Sequence, residues 1–152
     1  MDETEMRVNV VRLAFGGDER KFEEFCRIVQ QSVPEAHAAV LRGSSVTGVR
    51  HRDKLAFDAD GPGTSDLDLT LIGAEVFRYY DFDGYFVPGA HSRPLSDADP
   101  DIAPELVPLR DRLIIMTGRP VNIQASRDWV QYFRGDILGQ PYLLLFGELS
   151  TS

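Results

Sequence analysis

The sequence predicts an α/β (α+β) fold, a small mixed β-sheet flanked by helices. Three observations lead there. Apolar residues switch along the chain between helical spacing and strict alternation, so strands are interleaved with helices. The 152 residues, 43% of them apolar, suffice for a single domain with one core. There is no internal repeat, and no apolar run approaches the ~20 residues of a membrane span.

Residues 1–7 are polar and expected to fray. Met6, Val10, Leu13 and Ala14 fall at helical spacing, but Val8 and Val10 also alternate, so helix and strand both stay open. Gly16-Gly17 breaks this element. Asp18 then caps a helix whose apolar stripe is Phe22, Phe25, Cys26 and Val29, with Cys26 read as a small core residue. Pro34 predicts the first turn of a short helix, and His37 a solvated position. Residues 1–37 thus form an N-terminal helical extension to a core spanning residues 38–148.

Ala38–Leu41 is too short for a helix and reads as strand one, ended by Arg42-Gly43-Ser44-Ser45. Asp58-Ala59-Asp60-Gly61 and Gly61-Pro62-Gly63 are turn signals, so residues 48–63 form an excursion, a hairpin set between strand one and strand two. Strand two is Asp66–Ile72, stopped by Gly73, and Ala74–Tyr80 is a short aromatic segment. Residues 81–101 are rich in Asp, Pro and Gly. They read as a long loop or a small hairpin around Tyr85-Phe86-Val87, either a binding loop or a plain surface insertion.

Leu106, Leu109, Leu113 and Ile114 mark an amphipathic helix, regular only after Pro104 and Pro108 and stopped by Thr117-Gly118. Arg119–Ala125 is strand three, with Val121 and Ile123 on one face and Asn122 and Gln124 on the other. Ser126-Arg127-Asp128 offers caps for a last helix bearing Trp129, Val130, Phe133 and Ile137. Tyr142–Phe146 is a further strand.

The formal charge of −8, from 24 acids and 16 bases, argues against bulk nucleic-acid binding and leaves small anions or a protein partner open. A basic cleft is still available locally around Arg50, His51, Arg52 and Lys54. One cysteine excludes an internal disulfide framework, and the acidic start MDETEMRVNV lacks signal-peptide character; a cytoplasmic protein is expected. One Cys and three scattered His make zinc a poor fit. The segments beginning at Asp58 and Asp81 lack the Glu that closes a calcium loop, and no Walker or Gly-x-Ser-x-Gly sequence occurs.

Asp66 and Asp68 alternate with Leu67 and Leu69, so on a strand both carboxylates point to one face. Two carboxylates that close repel each other unless a cation lies between them, and hard oxygen ligands suit Mg²⁺ or Mn²⁺ with phosphates completing the shell. The plain alternative is one wet sheet face. Gly43-Ser44 after a buried strand lets backbone approach a phosphate, and alone it is no more than a turn.

Together, Leu41-Arg42-Gly43-Ser44 and Ser65-Asp66-Leu67-Asp68-Leu69 resemble the signature of the DNA polymerase β-like nucleotidyltransferase superfamily: a hydrophobic residue, Gly-Ser, a spacer, then Asp-x-Asp on the neighbouring strand. Thr117-Gly118-Arg119-Pro120-Val121, and Asp136-Ile137-Leu138-Gly139 before Tyr142-Leu143, extend the likeness to its minimal members. The resemblance implies a nucleotidyltransferase fold and a nucleoside triphosphate such as ATP bound with Mg²⁺ or Mn²⁺. It implies transfer of a nucleoside monophosphate to a hydroxyl of a protein, a tRNA end or a small molecule. By the same resemblance Asp66 and Asp68 are metal ligands, and Gly43, Ser44, Ser45 and Ser65 contact the nucleotide. Two departures stand out. The spacer is long, and the third acid of the family falls on Asn122, which can ligate but cannot act as a base. Asp81, Asp83 or an acid of the excursion would have to substitute. The alternative is therefore a catalytically degenerate member that binds nucleotide or a partner, as in the toxin–antitoxin pairs of minimal members.

Overall fold

A computed structural model describes residues 1–50, 52–81, 91–127 and 141–148, with the backbone alone of residues 85–87. It is a mixed α+β structure built on a six-stranded sheet. Helix α1 (Glu3–Ala14) settles the ambiguity at the amino terminus. Asp2 accepts the Glu5 amide and Glu5 reaches back to the Asp2 amide, so a capping box fixes the segment expected to fray. Helix α2 (Glu19–Ser32) starts where Asp18 accepts from the Arg20 and Lys21 amides, and it buries Phe22, Phe25 and Val29 as the spacing predicts.

Pro34 does not start a helix; it lies in a turn closed by the Ala36 amide on the Val33 carbonyl. Strand β1 (Ala38–Arg42) leads through Gly43 into a single helical turn, α3 (Ser44–Thr47). Strand β2 (Leu67–Ile72) pairs antiparallel with β1 and parallel with β5 (Val121–Ser126). Of the two readings for the segment after the aromatic 3-10 turn Ala74–Tyr79, long loop or small hairpin, the strands β3 (Tyr85–Val87) and β4 (His91–Ser92) pair as the second.

Helix α4 (Val107–Thr117) follows the 3-10 turn Pro104–Leu106. It begins before Pro108 rather than after it, because a proline in the first helical turn removes an amide that has no helical acceptor anyway. Strand β6 (Tyr142–Gly147) closes the order β3-β4-β5-β2-β1-β6. The last predicted helix and Asp136–Gly139 lie outside the described residues. No helix among the described residues is long and apolar enough to cross a membrane.

The two sheet faces differ. Ala39, Leu41, Leu67, Leu69, Leu71, Val121, Ile123, Ala125 and Leu143 pack in one cluster with Val10, Phe15, Phe22, Phe25, Val29 and Leu113 of the helices. Helices α1 and α2 are therefore a layer of the common core rather than an appendage. The opposite face holds a small cluster of Ala38, Val40 and Ile72 with Tyr142 and Leu144, and beyond it the polar row described next.

Candidate functional site

Strand pairing places Arg42 opposite Asp68, and Asp68 opposite Asn122, so three polar side chains from β1, β2 and β5 form a row across one face. Asp66 lies one residue before the β2 ladder and has the same parity as Asp68. Both acids reach one atom. The Asn122 side-chain amide donates from Nδ2 to Asp66 Oδ2 at 2.7 Å and to Asp68 Oδ1 at 3.0 Å. The carboxylates thus converge as the alternation predicts, and Asn122 carries the proton donors that lie between them.

Asp68 also faces the Gly-Ser corner. Gly43 has φ 86°, and a Cβ placed on it would lie 2.7 Å from Asp68 Oδ2. Glycine is required here twice over, for the backbone angle and for the close approach. Burial pushes the Asp68 carboxyl up to about 6, and the neighbouring Asp66 adds to the rise, against the Asn122 hydrogen bond and the Arg42 charge. Arg42 is itself steered, since its Nη2 donates to Gln124 Oε1 at 3.2 Å while Gln124 donates to the Ser92 carbonyl.

These groups floor a cleft of about 540 Å³, within the range of small-molecule sites. Asp66, Asp68, Gly43, Ser44 and Ser65 line it, and so do Arg42, Arg50, Arg52 and Lys54, which make the local basic wall anticipated around residues 50–54. His51 lies outside the described residues.

Two of the residues expected to contact a nucleotide are placed differently from Gly43 and Ser44. The Ser45 hydroxyl is buried, has no hydrogen-bond partner among the described residues and does not line the cleft, because the helical turn points its side chain away from it. Ser65 does line the cleft, but its hydroxyl accepts the Asp58 amide at 2.8 Å and its own amide donates to Asp58 Oδ1 at 3.0 Å, so it is engaged in the frame. Of the acids suggested as substitutes for the third one, Asp60 lines the cleft and is held by Arg50 at 2.6 Å. Asp81 is exposed and does not line the cleft. Asp83 lies outside the described residues.

Asp58 makes a clamp that the sequence did not advertise. Arg119, at the turn between α4 and β5, donates to Asp58 Oδ1 at 2.9 Å and Oδ2 at 3.1 Å, and also to the carbonyls of Ser65 and Leu13. Its guanidinium lies 4.5 Å over the Phe57 ring. Burial works against the Asp58 charge, yet the hydrogen bonds from Arg119 and from the Ser65 and Gly63 amides hold its carboxyl below the usual range. Gly63 packs so near the Gly118 carbonyl that a Cβ would come within 2.9 Å of it. One ion pair therefore ties the excursion, the entry to β2, the start of β5 and the end of α1. The signal was available only as an arginine beside a helix stop and an aspartate in a turn, which is too common to single out.

Could the floor hold a metal? No cluster of three or more acids, histidines or cysteines is present among the described residues. Two carboxylates meeting at one amide, one of them buried beside the other, still fit one hard divalent ion whose remaining positions are filled by phosphate oxygens. Asn122 would contribute its Oδ1 on rotation of the amide. Asp66, Asp68 and Asn122 are the residues that would hold it. No family model, no curated protein and no solved structure matches the chain.

Proposed function

We propose that the chain binds a nucleoside triphosphate as its Mg²⁺ or Mn²⁺ complex and transfers the nucleoside monophosphate to an acceptor hydroxyl, acting in the cytoplasm. The observation that carries this reading is the convergence of Asp66 and Asp68 on one point, opposite Gly43, at the floor of a basic-walled cleft. Carboxylates alone would repel a polyphosphate, and a basic wall alone would need no buried acid. The combination suits an anion that arrives with a divalent cation.

In this proposal Asp66 and Asp68 hold the ion, with the Asn122 amide oxygen as a neutral third donor. When bound, the ion supplies charge neutralisation at the attacking and leaving oxygens. The Ser44 hydroxyl and the open backbone at Gly43 face the phosphates. Arg42, fixed by Gln124, balances negative charge beside Asp68. Asn122 offers no base, so the chain relies on orientation and electrostatics rather than on an acid of β5 to activate the acceptor.

A second reading is favoured by one observation. The Asn122 amide already satisfies both carboxylates, which relieves their repulsion without an ion. On that reading the protein is a degenerate member that binds nucleotide or a protein partner, and transfers nothing. Incubation with labelled ATP, CTP, GTP or UTP, Mg²⁺ and candidate acceptors tests both. Label transfer that is lost in Asp66→Ala and Asp68→Ala supports the enzyme. Absence of transfer by the wild type, with transfer gained by Asn122→Asp, supports the degenerate reading. If no triphosphate changes the melting temperature in a metal-dependent way, the enzyme reading and nucleotide binding by a degenerate member both fall, and partner binding alone is left.

A further inference from the structure

The excursion between β1 and β2 does more than bridge two strands. Val49 pairs antiparallel with Ala56, the Arg50 amide donates to the Leu55 carbonyl at 2.7 Å, and the Phe57 amide donates to the Gly48 carbonyl at 3.0 Å. Its far end is anchored by the Asp58–Arg119 pair and by Gly63 against Gly118. The segment is therefore fixed at both ends as one wall of the cleft.

Its three basic side chains among the described residues are not equivalent. Arg50 is spent on the wall itself, with Nε and Nη2 on Asp53 and Nη1 on Asp60. Arg52 is 82% exposed, and its one ion pair among the described residues is with Asp53, at 3.9 Å. Lys54 lines the cleft and makes no ion pair among the described residues. Its backbone is also left-handed, with φ 61°. A turn of this kind favours glycine or asparagine, so a lysine there retains its side chain against a conformational penalty. Strain of that sort collects at binding sites, where a side chain is wanted at a place the backbone would give to glycine. In a chain of net charge −8, two cations without a firm partner among the described residues face a cleft that also holds two convergent carboxylates.

We propose that Arg52 and Lys54 form a subsite for the terminal phosphates of a polyphosphate chain, so that this cleft selects triphosphates over monophosphates. The proposal rests on the nucleotide reading for the identity of the natural ligand, but the subsite recognises phosphate chemistry alone and can be probed without a nucleoside. Each side chain contributes charge-assisted hydrogen bonds to phosphate oxygens, and Arg50 with its two aspartates keeps the wall from folding onto its own cations.

The test is isothermal titration of the full chain in Mg²⁺ with ATP, AMP and inorganic tripolyphosphate. Wild type is expected to bind ATP and tripolyphosphate more tightly than AMP, with an affinity that weakens as salt is raised. Arg52→Glu combined with Lys54→Glu is expected to weaken ATP and tripolyphosphate by about tenfold or more and to leave AMP nearly unchanged. Lys54→Gly guards against a folding artefact, since it removes the strained backbone; it is expected to melt no lower than wild type and yet bind tripolyphosphate more weakly. Equal affinity for ATP and AMP, or tripolyphosphate binding that ignores both variants, overturns the subsite while leaving a nucleotide site standing. Tripolyphosphate binding that the variants abolish, with no ATP binding, supports the subsite and sinks the nucleotide reading. Wild type that binds none of the three overturns both.

Discussion

Asp68→Asn is expected to stabilise the metal-free protein at pH 8, although it removes a residue central to the site. In the folded chain Asp68 is buried beside Asp66 and opposite Gly43, and its carboxyl is pushed up to about 6. A rise from an ordinary ~3.9 to that value corresponds to ~3 kcal/mol of resistance to ionisation. The direction follows from proton binding. Between the two values the folded state holds more protons than the unfolded chain, so stability falls as pH rises through ~4 to 6 and stays reduced above that window. Asparagine keeps the shape, accepts from Asn122 through its own Oδ1 and carries no charge. The gain at pH 8 is therefore up to ~3 kcal/mol, or a melting temperature raised by ~6–12 °C for a chain of this size. At pH 4 the two proteins should melt nearly together. Differential scanning calorimetry in chelator at pH 4, 6 and 8 reads this directly, and adding Mg²⁺ with a triphosphate should then stabilise wild type and not the variant. A variant that melts below wild type at pH 8 in chelator, or a difference that does not change with pH, would refute the reasoning. An acid that weakens the empty fold fits the proposed cation site, since function often retains groups that cost stability.

Other perturbations read other links. Gly43→Ala should cost ~1–2 kcal/mol for its left-handed backbone and should also displace the Asp68 carboxylate, so thermal shift should show both a lower melting temperature and a lost response to Mg²⁺-triphosphate. Arg119→Met leaves the Asp58 charge without its partner and frees the excursion, with an expected loss of ~3 kcal/mol in urea unfolding and a weakened triphosphate response. Asp2→Ala removes the capping box of α1 and should lower stability by ~1 kcal/mol in thermal melts followed by circular dichroism, without any effect on the cleft.

Alternation is a local property, and it was readable without coordinates. It set β2 and β5, while β1 and β6 were read from short apolar runs; it assigned Asp66 and Asp68 to one side and Leu67, Leu69 and Leu71 to the other, and separated Asn122 and Gln124 from Val121 and Ile123. The period of two cannot be changed by anything distant in the chain, so the parity of the acids was fixed as soon as the segment was known to be a strand. Helix or strand at Met6–Ala14 was not settled by spacing, because either period fitted; packing against the sheet core and the Asp2–Glu5 cap decided it. Tertiary structure alone set β2 beside β5 in parallel, which brings the Asn122 amide between two carboxylates more than fifty positions away. It alone turned Ser45 inward while leaving Ser44 on the cleft, and joined Asp58 to Arg119 across the fold. Such contacts are selected by the burial of whole faces and the closing of distant loops, energies that no short window of residues contains.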